Sequence, residues 1–168
     1  MSPVDLLVEI IKEHAPENIW IDSPLLGYRE LGNTNRGAIG EEFVRRYLNE
    51  AGIDVSEKGN RSLETDMRIT GIHFEVKTAS LGANGTFQFN HIRLDKTYKY
   101  LLCLGICPDK LVFDMWRKGA VSEGDAGHLV RMAAGQSVTW KLTKKLADMK
   151  PIAELPVAIQ KIADEISN

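Results

Sequence analysis

The stretch DMRITGIHFEVK, residues 66–77, carries Asp66, Glu75 and Lys77 inside a run that otherwise reads as sheet. Acids are depleted in strands, and like charges directly opposite each other repel. The pattern therefore needs a physical account. With the turn placed at Thr70-Gly71, glycine supplies the positive φ that a two-residue hairpin turn requires. Ile69 then pairs with Ile72, Arg68 with His73, Met67 with Phe74, and Asp66 with Glu75. Alternation puts Met67, Ile69, Ile72, Phe74 and Val76 on one face and Glu64, Asp66, Arg68, His73, Glu75 and Lys77 on the other. A one-residue slip mixes the two faces, so this register is favoured. Opposed residues have Cβ atoms about 4.5–5.5 Å apart, a distance at which two carboxylates destabilise the hairpin unless something lies between them. A divalent cation fits that place. Mg²⁺ takes one or two carboxylates and keeps its other positions for water and substrate phosphate. Lys77, two residues beyond Glu75, lies on the same face and can hold a nucleophilic water or neutralise charge on a phosphate. The competing account is a solvated polar face in which Arg68 and Lys77 screen the acids.

Outward from the hairpin, the clearest helix is NTNRGAIGEEFVRRYLNEAGI, residues 33–53, with Asn33 or Asn35 as its cap and Gly52 at its end. Ile39, Phe43, Tyr47 and Ala51 recur every four residues, and Val44 and Leu48 widen the stripe. At about 100° per residue, Glu41 falls about 20° beyond the Leu48 edge of the apolar arc, and Glu42 falls near the solvent side. A helix packed on the hairpin can therefore tilt Glu41 toward the acids while Glu42 stays wet. The alternative is that both are first-turn acids that favour the helix dipole.

The remaining chain reads as follows. Residues 3–14 form a short amphipathic helix, and residues 15–35 a packed loop with Trp20, Leu25, Leu26 and Tyr28. IDVSEK (53–58) is a short strand, LGANGTFQ (81–88) a glycine-rich turn, and NHIRLDK (90–96) a short helix capped by Asn90. YKYLLCLGIC (98–107) and KLVFDMWR (110–117) are strands joined by a turn. Residues 126–134 and 156–166 read as helical. Gln88, Asn90, His91 and Arg93 are candidate DNA contacts, since polar groups around a helix start suit phosphate and Gln or Asn can read adenine. Gln88 lies between Phe87 and Phe89, and alternation sends it to the other face. Trp116, Arg117, Lys118, Lys141, Lys144 and Lys145 are weaker candidates, because KLTKKLADMK (141–150) also suits an exposed helix or hairpin edge.

The 168 residues suit a single α/β domain, with 43% hydrophobic and 26% charged residues and a net charge of −2. That charge does not mark a nucleic-acid binder, nor does it exclude one, because phosphates respond to local basic patches. Cys103 and Cys107 lie in an apolar run and read as reduced, buried thiols. No zinc-type ligand spacing accompanies them. The N-terminal MSPVDLLVEIIKEH lacks a basic n-region, and no run approaches a membrane span. The expectation is a soluble, cytoplasmic protein with no membrane partner.

Asp66, eight intervening residues, then Glu75-Val76-Lys77 resembles the PD-(D/E)XK signature of restriction-endonuclease-like nucleases. RGAIGEEFVRRYLNEAGIDV (36–55) is similar to the first core helix of that superfamily, where a glycine often stands four residues before the helix-borne acid; by that spacing Gly37 selects Glu41. Thr65 stands where the family name has proline. The similarity covers roughly residues 36–116. It implies a restriction-endonuclease-like fold, with a mixed central β-sheet flanked by α-helices. The domain would span 1–168, with its catalytic core at about 36–116, an N-terminal helix and loop (1–35) and a C-terminal helical region (120–168) as appendages. It further implies a metal site of Glu41, Asp66 and Glu75 for Mg²⁺, with Mn²⁺ able to substitute, and Lys77 completing the catalytic set. Double-stranded DNA would be the substrate. A type II restriction endonuclease acting as a homodimer is the leading reading. The alternatives are a structure-specific nuclease, such as a Holliday-junction resolvase or repair nuclease, and a DNA-binding protein that keeps the fold without cutting.

Overall fold

The computed structural model describes residues 1–15, 18–56, 67–132 and 138–168. It begins with α1 (Pro3–His14), whose start is fixed by a capping box. The Ser2 hydroxyl accepts from the Asp5 N–H at 3.1 Å, and Asp5 accepts from the Ser2 N–H at 3.2 Å. A single turn, α2 (Leu26–Arg29), interrupts the region read as loop. Next comes α3 (Asn33–Glu50). Its cap is Gly32 with no side-chain hydrogen bond, rather than Asn33 or Asn35, because the helix already includes both asparagines. Glu41 and Glu42 consequently lie in its middle and are not first-turn acids.

Two short strands follow, β1 (Val55–Ser56) and β2 (Met67–Ile69), and then the long β3 (Ile72–Ser80). β2 and β3 pair antiparallel with Met67 opposite Phe74, Arg68 opposite His73 and Ile69 opposite Ile72. The turn between them has φ 50° at Thr70 and 79° at Gly71, two consecutive left-handed residues as in a type I′ hairpin. The apolar face of the hairpin is buried, from Met67 through Val76.

The chain then leaves this sheet for β4 (Thr86–Ile92) and returns as β5 (Tyr100–Ile106), which pairs parallel with β3. All seven residues of β5 are buried, as expected of a central strand reading YLLCLGI. β6 (Leu111–Arg117) pairs antiparallel with β5 and leads into α4 (Lys118–Ser122), β7 (Leu129–Arg131), β8 (Trp140–Lys145), β9 (Lys150–Pro151) and α5 (Leu155–Ser167). The result is a mixed six-stranded sheet in the order β1-β2-β3-β5-β6-β9, a three-stranded sheet in the order β4-β8-β7, and flanking helices. The expected α/β class with a mixed central sheet is thus what the chain adopts.

Three local expectations are corrected. Residues 90–92 belong to β4 and not to a helix, because Phe87, Phe89 and Ile92 are all fully buried and the strand pairs with β8. Asn90 therefore caps nothing. Residues 129–131 form β7 rather than part of a helix, pairing antiparallel with β8. Of the 141–150 segment, residues 141–145 lie in the middle strand of the smaller sheet rather than at an exposed edge, while Lys150 belongs to β9 at the edge of the larger one. Beyond residue 120 the described chain therefore carries the short strands β7, β8 and β9 as well as the helix α5. The smaller sheet packs on the larger at Gly105, where a Cβ would stand 2.8 Å from the Phe87 ring of β4 and 2.8 Å from Val112 of the neighbouring strand β6. Only glycine permits that contact.

Candidate active site

Helix α3 packs on β3 through Gly40, where an added Cβ would lie 1.9 Å from the Thr78 hydroxyl oxygen. Gly40, Val44 and Leu48 are the buried face of the helix. The buried row is thus one residue along from the Ile39, Phe43 and Tyr47 row, and Ile39 is 44% exposed. Glu41 still falls at the edge nearest β3, and Glu42 points away. Glu42 accepts from the Arg45 Nε at 2.9 Å and from the Arg46 Nε at 2.7 Å. Those hydrogen bonds, Arg45 first, hold its carboxyl down at about 2.

Between α3 and β4, along β3, runs a cleft of about 550 Å³. It is lined by Glu41 from α3, Lys77 from β3, and Gln88, Asn90 and His91 from β4. Gln88 is exposed while Phe87 and Phe89 are fully buried, so alternation orients it as expected. The register of β4 on β8 shifts between Phe89 and Ile92, and His91 has φ 58°. Such a bulge lets adjacent residues leave strict alternation, and here both Asn90 and His91 reach the cleft. The backbone N–H of His91 donates to the Met132 sulfur at 3.3 Å, and His91 Nδ1 lies 3.4 Å from the Thr139 hydroxyl.

Glu75 sits behind Lys77. Its side chain is 1% exposed, with Oε1 3.5 Å from Lys77 Nζ and 4.0 Å from Lys96 Nζ. Its Oε2 accepts a long 3.4 Å hydrogen bond from the Arg93 backbone N–H. A buried carboxylate needs such partners, since burying an unpaired charge is strongly unfavourable. Arg93 contributes this backbone donor, while its guanidinium forms a two-pronged ion pair with Asp95 at 2.8 and 2.5 Å. That pairing holds the Asp95 carboxyl at about 2 and keeps the Arg93 side chain out of the cleft lining. Asp66 lies outside the described residues.

Of the other cations, Lys144 donates to the Ala126 carbonyl at 2.8 Å and stacks on Trp116, and Lys118 donates to the Lys96 carbonyl beside the Tyr98 ring. Both are held by the fold. Cys103 is a free, fully buried thiol whose pKa burial pushes up, and it stands beside Lys77 in the β3–β5 register. The cleft also includes Tyr28, Arg29, Asn33, Arg36 and Ser80, none of which is among the site residues expected from the sequence. Arg36 precedes Glu41 on the same helix, a signal that was present in RGAIGEE. Lys96 near Glu75 had no such signal.

Glu41 and Glu75 offer hard carboxylate oxygens, the donor type that Mg²⁺ takes. Among the described residues no group of three or more His, Cys, Asp or Glu is placed to hold a metal ion. Because Mg²⁺ uses one or two carboxylates and completes its shell with water and phosphate, the chemistry of the two described acids fits it. Among the described residues, no helix is long and apolar enough to cross a membrane.

No protein-family model matches the chain, and no curated protein matches it. Among solved structures it is similar to a bacterial homing endonuclease, I-Ssp6803I, at 13% identity over 82% of this chain and 100% of that chain, with a TM-score of 0.49.

Proposed function

We propose that this chain is a Mg²⁺-dependent DNA endonuclease of the PD-(D/E)XK type. The observation that carries the reading is the contact of Lys77 with the buried Glu75, 3.5 Å away, with Lys77 and Glu41 lining one cleft. A buried acid and a lysine on the same strand face, with a second acid from a packed helix, suit phosphodiester hydrolysis. Glu41 and Glu75, with Asp66 from the sequence register, would hold the ion. The chemistry Mg²⁺ supplies to such a reaction is a lowered pKa of water and neutralised charge on the phosphoryl oxygens. The Lys77 ammonium, fixed against Glu75, donates toward the phosphate and offsets the charge that grows on it. Gln88, Asn90 and His91 line the opposite wall, where amide and imidazole groups can contact bases or phosphates. Type II restriction activity on duplex DNA by a homodimer is the specific form proposed.

The test is incubation of plasmid DNA with the full chain in Mg²⁺, Mn²⁺, Ca²⁺ or EDTA, beside Glu75→Ala and Lys77→Ala. Cleavage is expected in Mg²⁺ and Mn²⁺, binding with little cutting in Ca²⁺, and loss of cutting by orders of magnitude in both variants. Full cleavage in EDTA overturns the metal assignment. Binding without cutting under every condition would leave a DNA-binding protein instead, and cutting of junctions but not of linear duplex would favour the structure-specific reading.

A further inference from the structure

At the end of the cleft formed by α2 and the start of α3, two arginines meet one tyrosine. Arg29 and Arg36 both line the cleft, and among the described residues neither has a carboxylate within ion-pair distance. Their positions are nonetheless fixed. Arg29 lies 5.5 Å over the Trp20 ring and donates to the Ser80 hydroxyl at 2.7 Å. Arg36 lies 5.9 Å over the Tyr28 ring and donates to the Arg29 carbonyl. Tyr28 is 9% exposed, and its hydroxyl has no hydrogen-bond partner among the described residues. The Arg36 Nε–H is likewise buried and without one. Both guanidinium charges bear on that hydroxyl, opposing the upward push of burial on its pKa.

Buried polar groups are normally paired, and a tyrosine hydroxyl and an arginine Nε–H left over in one cleft await a shared acceptor. Two guanidinium groups with no described carboxylate within ion-pair distance make that acceptor an anion. The planar donor fork of arginine matches the oxygens of phosphate in particular. A nucleic acid carries a phosphate at every nucleotide, so a strand whose cut phosphate lies at Lys77 and Glu41 must lay another phosphate elsewhere along the same cleft. We infer that Arg29, Arg36 and Tyr28 form a second phosphate site, one that grips the substrate backbone next to the bond being cut. The inference rests on the nuclease reading for the identity of the ligand. Arg29 and Arg36 are thus positioning residues: they fix where the strand lies and do not touch the reacting atoms.

The test is equilibrium binding of a fluorescein-labelled DNA duplex to the full-length chain in Ca²⁺, by anisotropy across a range of salt concentrations. The variants are Arg29→Ala/Arg36→Ala, Arg36→Lys and Tyr28→Phe, with Lys161→Ala on α5 as a surface control and thermal unfolding as a check on folding. Loss of one phosphate contact is expected to reduce the slope of log affinity against log salt by about 0.9 in the double variant. Its affinity should fall at least tenfold. Tyr28→Phe keeps the ring and the fold, and should weaken binding severalfold with the slope unchanged. Arg36→Lys keeps the charge but loses the fork, and should fall between wild type and the double variant. Unchanged affinity and slope in the double variant overturn the site and leave the nuclease reading standing. Arginine-dependent binding with no cleavage in Mg²⁺ overturns the nuclease reading and leaves the site. Absence of DNA binding by the wild-type chain overturns both.

Discussion

Glu41 and Glu42 are adjacent in sequence, yet one faces the cleft and the other is tied to Arg45 and Arg46. Their substitutions should therefore separate. Glu41→Ala is expected to lower Mg²⁺-dependent cleavage by about 10²-fold or more, the scale of losing one preorganised electrostatic partner. Glu42→Ala should leave the rate little changed. Single-turnover rates at saturating protein make the comparison, and an equal or larger loss at Glu42 removes Glu41 from the site. Glu42 has a separate signature. With its carboxyl held at about 2, its contribution to helix stability is present above the ordinary carboxylate range and is lost as pH falls toward 2. Helical spacing made this division legible in the sequence, because about 100° per residue separates any two neighbours whatever they pack against. The burial of Glu75 was not legible. It depends on Arg93 and Lys96 arriving from beyond β4, and no local pattern around residue 75 encodes them.

The hairpin of β2 and β3 and the packing of α3 on β3 decide where those side chains point. The hairpin was readable because alternation sorted both faces completely and Gly71 marked the turn. Its described register, Met67 opposite Phe74, agrees with that reading. Thr70 is the imperfect element. It is β-branched and holds φ 50°, a region such residues disfavour and asparagine tolerates. Thr70→Asn should stabilise the chain by about 0.5–1 kcal/mol, the usual gain from an improved turn residue, although the Thr70 hydroxyl gives up its 2.7 Å hydrogen bond to the Ile69 carbonyl. Chemical denaturation measures this directly. Gly40 is the opposite case, since any side chain there collides with Thr78. Gly40→Ala should cost about 1–3 kcal/mol by overpacking. Adding Thr78→Ala should recover only part, because the threonine Cβ itself would stand 2.8 Å from the new methyl group. The lift of α3 should also move Glu41, so cleavage should fall further than stability alone explains. By contrast, β4 was misread as a helix start because NHIRLDK is polar and short. Its strand state is imposed by β8, whose partners to β4 lie roughly fifty residues later, as tertiary context overrides local preference.

At the scale of the whole molecule, α1 stands out. None of its residues is buried, and Val4, Leu6, Leu7, Val8, Ile10 and Ile11 are 42–70% exposed. A helix of 12 residues is about 18 Å long, and two such helices laid together with their connecting loops approach the lower end of a standard interface, about 1,200 Å² in total. An antiparallel twofold pair also sets Asp5 opposite the partner's Lys12, which gives the contact complementary charge. A second copy of the chain is therefore the occupant expected for this face, in keeping with the C₂ symmetry of most oligomers. Light scattering should give twice the 18.8 kDa chain mass, and Leu7→Lys/Ile11→Lys should give the single mass with an unchanged circular dichroism spectrum and a lower melting temperature. A wild-type chain of single mass, alone and on DNA, sinks the dimer.

The path of β4 has a consequence for the order of assembly. The chain visits β4 between two strands of the larger sheet, yet the neighbour that pairs with β4 is residues 140–145. Contacts so distant along the chain form late, after closer ones have closed the intervening loops. Glu75 and Lys77 can be set in their sheet as soon as β5 emerges from the ribosome, while the facing wall with Gln88, Asn90 and His91 waits for β8. A nascent chain stopped short of Trp140 thus carries the acids and the lysine but no cleft. The wall of the cleft that faces Glu41 and Lys77 is thus the part of the site that assembles last.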